Sequence, residues 1–446
     1  MHPVLRRDNV PGMAKKLLII DAAALGYELL KAHRALQWSG LEFKPAQSVF
    51  PAVTCSVQAS FRTATAPSAH GMVANGRYFR GLHKPMFWEQ SADLVAGKRI
   101  WSDFRAAGGK VAMLFWQQSL GEEADVLLSP APVHKHHGGM IQDCYSKPAG
   151  LYQTLCQRIG RPFDLMHYWG PLAGPKVGDW IADATVAVLK DAQLAPGLCM
   201  VYLPTLDYDL QRHEQAHRSN ARAVSRAMAQ MLHMVSQARQ GGYEVLIFGD
   251  YAIADVLPGD AAVFPNRLLR EEALLSVRDV RGMLYPDFHA SRAFAVVDHE
   301  IAHVYVKAPE DIATVQAALA KLAGIEQAWT RGEAAAVGLD HPNSGELVLL
   351  AKEGHWLAYP WWTQKSQAPD YAAHIDIHSK PGYDPCELFF GWPPMTVSQN
   401  TARIRGSHGR VGPGREVAYA ATIPLPPIGN LLDLAAAVRD WLGDKP

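Results

Sequence analysis

The stretch that decides the fold is KKLLIIDAAALG, residues 15–26. Its apolar residues run without a break through LLII, which is typical of a strand buried on both faces of a parallel sheet. Similar runs return at Lys110–Phe115, Leu198–Leu203 and Tyr243–Phe248, and helical patterns such as Gly178–Asp191 lie between them. Strands that alternate with helices predict an α/β fold with a mostly parallel central sheet flanked by helices.

The pattern of predicted strands and helices changes in residues 255–370. This part contains short, turn-separated strand-like runs, among them Ala293–Val297 and Glu346–Leu350. We predict that it forms an inserted, smaller α+β cap. Residues 14–254 and 371–446 are then predicted to form the catalytic core.

The composition excludes several classes of function. The chain of 446 residues carries 43 basic and 43 acidic side chains, whereas a dedicated nucleic-acid binder normally has a basic excess on one face. No apolar run approaches the roughly 20 residues that a membrane-spanning helix needs. No G-x-G-x-x-G follows the first strand, as it would in a dinucleotide-binding enzyme. We therefore expect a globular protein that binds neither nucleic acid nor membrane, and its oligomeric state stays open.

The cysteines and the N-terminal residues indicate a compartment. The five cysteines are widely spaced and form no C-x-x-C, which is typical of a reducing compartment. Residues 1–13 lack the apolar region and cleavage site of a secretory signal. We interpret them as a leader, with Met13 as an alternative start, and predict a cytoplasmic location.

Three acidic side chains, Asp21, Asp207 and Asp250, follow buried strand-like runs. Because the carboxyl ends of parallel strands meet at one edge of a sheet, we expect these side chains to lie close together. Their like charges would raise one another's pKa values unless a cation neutralised them. The trio therefore predicts a site for divalent metal, although each acid alone would also serve as a helix or turn cap.

The segment FPAVTCSVQASFRTATAPSAHGMVANGRYFR, residues 50–80, carries a candidate nucleophile. Pro51 ends the extended approach, and Thr54 is predicted to be the N-cap of a helix over Ser56–Thr65. A hydroxyl there faces free backbone N–H groups and the positive end of the helix dipole, which favour an anion such as phosphate. A nearby metal would help to ionise it for attack. The alternative is that Thr54 is a helix cap and nothing more.

Histidines offer further candidate ligands. His378 and His408 lie in glycine-rich loops, where neutral imidazole is a common zinc ligand, although loop histidines are more often simply solvated. The run HKHHGG, residues 134–139, fits either a metal site or a surface loop. His299 and His303 are spaced as H-x-x-x-H, but the flanking residues predict a strand that would hold them about 13 Å apart, so we discount them as a pair.

Taken in chain order, these features resemble the alkaline phosphatase superfamily. Within it they are most similar to the branch of type I phosphodiesterases and nucleotide pyrophosphatases, which includes phosphonoacetate hydrolase. The resemblance rests on PAVT ending in Thr54, APSAHGMVAN ending in Asn75, the strand-end acids, and GSHG with His408. It covers residues 16–254 and 371–415.

The resemblance implies a two-metal site for phosphoryl transfer. Asp21, Thr54 and Asp250 would hold one ion. Asp207 and His408 would hold the other, together with a histidine one turn after the acid. Zinc is the expected metal, with manganese or iron as alternatives, and up to two ions are expected per chain.

The resemblance also implies the reaction. Thr54 would attack phosphorus and form a phospho-threonine intermediate that water then hydrolyses, while Asn75 would hydrogen-bond a non-bridging phosphate oxygen. The expected substrate is a small phosphoester or nucleotide-like molecule. The alternatives are a phosphatase or carbon–phosphorus bond hydrolase with the same site, and a binding protein of the same fold that has lost catalysis.

Two positions depart from the pattern of this branch. Tyr251 stands where the branch has a histidine after the acid, and Gln211 stands four residues after Asp207, where the branch has another. We favour Asp207 as the acid because it is nearest to the strand end. The explanations left open are that Asp209 is the acid, that an insertion shifts the histidine to His213, or that His378 substitutes from a different loop.

Overall fold

The computed structural model describes residues 15–259 and 261–443, so the leader predicted for residues 1–13 lies outside the described residues. The strands of the two larger sheets are β1 (Leu17–Ala22), β2 (Lys44–Ala46), β3 (Val111–Leu114), β4 (Val126–Pro130), β5 (Cys144–Lys147), β6 (Leu198–Leu203), β7 (Glu244–Gly249), β8 (Ala293–Asp298), β9 (Ile301–Val306), β10 (Ile325–Thr330), β11 (Leu347–Ala351) and β12 (Val417–Ala421). The α-helices of the same residues are α1 (Tyr27–Ala32), α2 (Thr54–Thr63), α3 (Pro67–His70), α4 (Ser102–Ala106), α5 (Leu151–Ile159), α6 (Lys176–Lys190), α7 (Asp207–Arg212), α8 (Arg218–Gln240), α9 (Pro265–Glu271), α10 (Ile312–Leu319) and α11 (Leu431–Gly443).

The central sheet has the strand order β5-β4-β3-β6-β1-β7-β12-β2. The five adjacent strands β4, β3, β6, β1 and β7 are parallel to one another. β5 pairs antiparallel with β4 on one side, and β12 pairs antiparallel with β7 on the other. Every residue of β1 and β6 is buried, as their unbroken apolar runs predict. The expected α/β fold with a mostly parallel sheet flanked by helices is confirmed. Its carboxyl edge, where β1, β6 and β7 end together, positions the candidate site.

A second, antiparallel sheet has the order β8-β9-β11-β10. All four strands fall within residues 255–370, the region predicted to be a cap, and β8, β9 and β11 are buried along their whole length. The sheet contributes to its own hydrophobic cluster, apart from that of the central sheet. The assignment of core and cap as separate units stays a prediction.

Short two-stranded ladders complete the architecture. They pair Gln37–Trp38 with Leu41–Glu42, Gly76–Phe79 with Lys84–Phe87, Val133–His134 with Met140–Ile141, Ala254–Asp255 with Gly406–Ser407, Ala262–Val263 with Trp356–Leu357, and Val277–Val280 with Met283–Pro286. Among the described residues, no helix combines the length and the apolar character needed to cross a membrane.

Two local predictions are corrected by the structure. The helix expected from Ser56 begins at Thr54, and Val53 is its N-cap, so Thr54 is the first helical residue rather than the cap. The continuous strand expected through DHEIAH is interrupted, because His299 has φ of +59° and reverses the chain between β8 and β9. This turn brings His299 to the candidate site.

Candidate functional site

The carboxylates of Asp21 and Asp250 lie at the carboxyl edge of the central sheet. Asp21 belongs to β1, and Asp250 follows β7. One oxygen of each is bonded: Gln58 Nε2 donates to Asp21 Oδ2 over 2.7 Å, and the Ala24 N–H donates to Asp250 Oδ1 over 3.1 Å. The other oxygens, Asp21 Oδ1 and Asp250 Oδ2, are buried without a partner among the described residues.

The electrostatics show that the three predicted acids are neighbours. Burial raises the pKa of Asp21 to about 8, against the hydrogen bond from Gln58. Burial also raises the pKa of Asp250 well above its usual value, and the charges of Asp21 and Asp207 raise it further. The strand-end pattern therefore predicts their proximity correctly. Two bare oxygens on adjacent buried carboxyl groups form a place that favours a cation.

Thr54 lies beside these carboxylates at the start of α2. Gln58, four residues later and on the same face of the helix, is the residue that bonds Asp21. Burial raises the pKa of Tyr251 well above its usual value, and an interaction with the Thr54 side chain opposes this rise. Thr54 therefore lies near the residue that follows Asp250, and it is 3% exposed. The location suits a nucleophile at a helix N-terminus, where backbone N–H groups favour an anion.

Asn75 is held rigidly next to Thr54. Its Oδ1 accepts from the Cys55 N–H over 2.9 Å. Its backbone N–H and its Nδ2 donate to the two oxygens of Asp298 over 2.7 and 3.1 Å. Asn75 also lines a small pocket together with Met72, Gly76 and Glu89. Because Nδ2 carries two hydrogens, one N–H of Asn75 is left for a substrate oxygen.

Asp207 is the first residue of α7, after β6, and both of its oxygens accept hydrogen bonds. Tyr251 Oη donates to Oδ1 over 2.9 Å, and Gln211 Nε2 donates to Oδ2 over 2.8 Å. Burial raises the pKa of Asp207 to about 6, against these two bonds. Asp209, the alternative acid, instead pairs with Arg212 at 3.7 Å. The acid of the buried site is therefore Asp207.

Four aromatic side chains in ring-to-ring contact connect the two donors of Asp207. The ring of Tyr251 stacks on that of His408 with centroids 3.6 Å apart, and the next two steps, from His408 to His299 and from His299 to Tyr383, are each 3.7 Å. Tyr383 Oη then donates to Gln211 Oε1 over 2.9 Å, which closes the circuit. We call this closed circuit of contacts the Asp207 ring. Its members are Asp207, Tyr251, His408, His299, Tyr383 and Gln211.

Sequence reasoning missed Asp298 and His299. Asp298 binds Asn75 as described, and its Oδ1 also contacts His299 Nδ1 at 2.7 Å. The Nε2 of His299 is buried with no partner in the described part of the chain. The available signal was the acid at the end of the apolar run AFAVVD, the same pattern that identified Asp21 in LLIID.

Two predicted histidine ligands lie elsewhere. His213 ends α7, and its ring stacks on His217 with centroids 4.3 Å apart, while Gln211 contacts Asp207 instead. His378 is exposed, and its Nδ1 bonds the Phe87 carbonyl over 2.9 Å. The described contacts bring neither histidine to Asp207. The HKHHGG histidines, residues 134, 136 and 137, are exposed on a hairpin, as the surface-loop interpretation predicts.

The side chains present fit one of the two implied metal ions and not the other. Asp21 Oδ1 and Asp250 Oδ2 are two bare carboxylate oxygens that suit one divalent cation. Asp207 has no bare oxygen, and His408 is stacked between two rings, with its Nδ1 bonded to the Ala52 carbonyl. Within residues 15–259 and 261–443, no three His, Cys, Asp or Glu side chains are grouped to hold a metal, so the place at Asp21 and Asp250 has two carboxylates and no third ligand of these types. Asp207 and His408 also have their hydrogen bonds and ring contacts already made. The second ion therefore does not fit this structure.

Comparison with known proteins supports the class and then the family. The fold is alkaline-phosphatase-like, as the sequence predicts. A model of the family "Type I phosphodiesterase / nucleotide pyrophosphatase" matches residues 26–384. The chain belongs to this family, whose name supports a hydrolase of phosphodiester or pyrophosphate bonds as the general class of activity.

Solved structures share the fold at low sequence identity. Phosphonoacetate hydrolase from Sinorhizobium meliloti, in complex with phosphonoacetate, is 14% identical with a TM-score of 0.60, and 96% of each chain is covered. Human ectonucleotide pyrophosphatase/phosphodiesterase 5 is 11% identical with a TM-score of 0.60, covering 96% of this chain and 95% of the other. An inactive murine counterpart in complex with AMP is 12% identical with a TM-score of 0.57 and the same coverage. No curated protein sequence matches the chain.

Proposed function

We propose that the protein hydrolyses phosphoric diesters or diphosphates of small, nucleotide-like molecules, with Thr54 as the nucleophile. The observation that carries the proposal is the position of Thr54 at the start of α2. The same helix reaches Asp21 through Gln58, and Asp21 and Asp250 each leave one buried oxygen bare. Family membership supports the class of reaction. The AMP complex of the murine relative supports a nucleotide as the first substrate to try.

Asp21, Asp250 and Thr54 would hold one divalent cation in this proposal. When bound, such an ion stabilises the ionised hydroxyl and offsets the negative charge of the phosphoryl group. Zinc is the metal expected from the sequence. Because every donor in this half of the site is an oxygen, magnesium or manganese suits it better than zinc.

The residues of the chain then have distinct tasks. Thr54 Oγ1 forms a bond to phosphorus as the bond to the leaving oxygen breaks, which gives phospho-threonine. Water hydrolyses this intermediate and restores the hydroxyl. The free N–H of Asn75 donates to a non-bridging oxygen of the phosphoryl group, and Asp298 keeps Asn75 in position through two hydrogen bonds.

The test is hydrolysis of a chromogenic phosphodiester by the full chain, with magnesium, manganese or zinc, beside a Thr54→Ala variant. We expect cation-dependent turnover that falls to background in the variant. Thr63→Ala is the matched control, because Thr63 is also buried on α2 but donates to the Ala59 carbonyl. Equal turnover in wild type and Thr54→Ala would refute the nucleophile. Monoester and phosphonate substrates in the same assay test the phosphatase and carbon–phosphorus alternatives.

A binding protein of the same fold is the second candidate. The observation that favours it is the hydrogen-bonded state of Asp207, which leaves half of the implied metal site without a place for an ion. AMP that binds equally well to wild type and Thr54→Ala, without turnover by either, would support binding as the function.

The cytoplasmic location stays part of the proposal. All five cysteines are unpaired, and four of them are buried. Free thiols in this number support a reducing compartment.

A further inference from the structure

Asp207 is satisfied by neutral side chains from two directions. The phenol of Tyr251 and the amide of Gln211 each donate to a different oxygen of the carboxylate. A buried carboxylate that accepts two such bonds has its hydrogen-bonding demand met without a cation. This differs from Asp21 and Asp250, whose bare oxygens have no partner among the described residues.

The orientation of Gln211 is fixed by its second contact. Tyr383 Oη donates to Gln211 Oε1, so the oxygen of the amide is occupied and its NH₂ must face Asp207. An amide assigned in this way is a donor toward the carboxylate and offers no lone pair to a metal. The remaining side-chain oxygen near Asp207, Tyr251 Oη, carries the proton that it donates.

The stacked members of the Asp207 ring also occupy the space beside the carboxylate. The three centroid distances of 3.6 to 3.7 Å are those of rings in direct contact. His408, the expected partner of Asp207 in metal binding, lies between the rings of Tyr251 and His299. A cation could reach Asp207 only if the stack opened and both donors were displaced.

We propose that the Asp207 ring stands in place of the second metal ion, so that Asp207 is not a metal ligand in this chain. The inference depends on the proposed function only for the cation expected at Asp21 and Asp250. The stability of the Asp207 half of the site then comes from hydrogen bonds and ring contacts instead of coordination.

The first test counts metal ions. The full chain is stripped with a chelator, dialysed against zinc chloride and analysed for bound zinc per chain by mass spectrometry, beside an Asp207→Asn variant. We expect equal numbers, because Asp207 holds no ion in this proposal and asparagine has nearly the shape of aspartate. The exposed histidines of residues 134–137 are common to both proteins and cancel in the comparison. A loss of one zinc in Asp207→Asn would overturn the proposal.

The second test restores ligands. A variant with both Gln211→His and Tyr251→His should bind one more zinc per chain than wild type, with circular dichroism showing that it is folded. A folded double variant that gains no zinc would overturn the claim that these two side chains occupy ligand places. Asp250→Asn tests the proposed function separately. If this variant binds as much zinc as wild type, the cation site proposed at Asp21 and Asp250 is wrong, but the comparison of wild type with Asp207→Asn still holds.

Discussion

A buried lysine holds the loop that carries Tyr383. Lys380 is 1% exposed, and its Nζ contacts Asp384 Oδ2 at 2.7 Å and Glu387 Oε1 at 2.6 Å. Burial alone would lower the pKa of Lys380, but the two carboxylates outweigh it and raise the pKa above its usual value. The three charges therefore depend on one another in a region with little access to water.

Replacing Lys380 by Met keeps most of the side-chain volume and removes the charge. Two buried carboxylates then face each other without a cation, which costs about 3–5 kcal/mol of the free energy of unfolding. Urea denaturation of wild type and variant measures this loss, and equal m-values show that the two unfold alike. Lys98→Met is the matched control, since the Lys98–Asp103 pair is about two-thirds exposed and contributes only about 0–1 kcal/mol.

A rescue variant tests the reasoning further. Replacing Asp384 by Asn and Glu387 by Gln in the Lys380→Met background leaves these three positions without a charge. Most of the lost free energy of unfolding should then return. A loss under about 1 kcal/mol in the single variant, or no recovery in the triple variant, would refute the account of this cluster.

Three further predictions follow from described contacts. Asp298→Ala removes the acceptor of two hydrogen bonds from Asn75 and one from His299. Since each unsatisfied buried group costs about 1–3 kcal/mol, the free energy of unfolding should fall by several kcal/mol. A fall of less than about 1 kcal/mol in urea denaturation would contradict this. Tyr251→Phe leaves Oδ1 of Asp207 without its donor and should lower the free energy of unfolding by about 1–3 kcal/mol. An unchanged denaturation midpoint would show that the hydrogen bond from Tyr251 to Asp207 contributes nothing. In a thiol-reactive dye assay on the native protein, Cys156 alone should react quickly, because the other cysteines are buried; rapid reaction of two or more thiols would refute this.

The sequence predicts the central sheet well because its strands are buried on both faces. The stretches Leu17–Ile20, Leu198–Leu203 and Val245–Phe248, which lead to Asp21, Asp207 and Asp250, contain no charged residue, and burial on both faces requires such runs. Once the strands are parallel, the three acids must share one edge. Their proximity is therefore a property of chain order and strand direction.

The Asp207 ring could not be predicted in this way. His299 reaches it only because one residue with positive φ turns the chain between β8 and β9, and strand propensity gives no sign of such a turn. Tyr251 and Gln211 were recognised as departures from a family pattern, but their hydrogen bonds to Asp207 depend on side-chain geometry. His213 is one of three explanations that the spacing leaves open, but helix α7 directs Gln211 to the acid.

The closed circuit of the Asp207 ring has a consequence for how substitutions combine. Each of its six residues contacts two others, so replacing any one of them breaks two contacts and leaves the remaining chain of contacts open at both ends. Effects of substitutions in direct contact are not additive. A single histidine at position 211 or 251 would therefore break the circuit and leave the other donor of Asp207 in place. Converting this centre into a metal site requires changes at Gln211 and Tyr251 together.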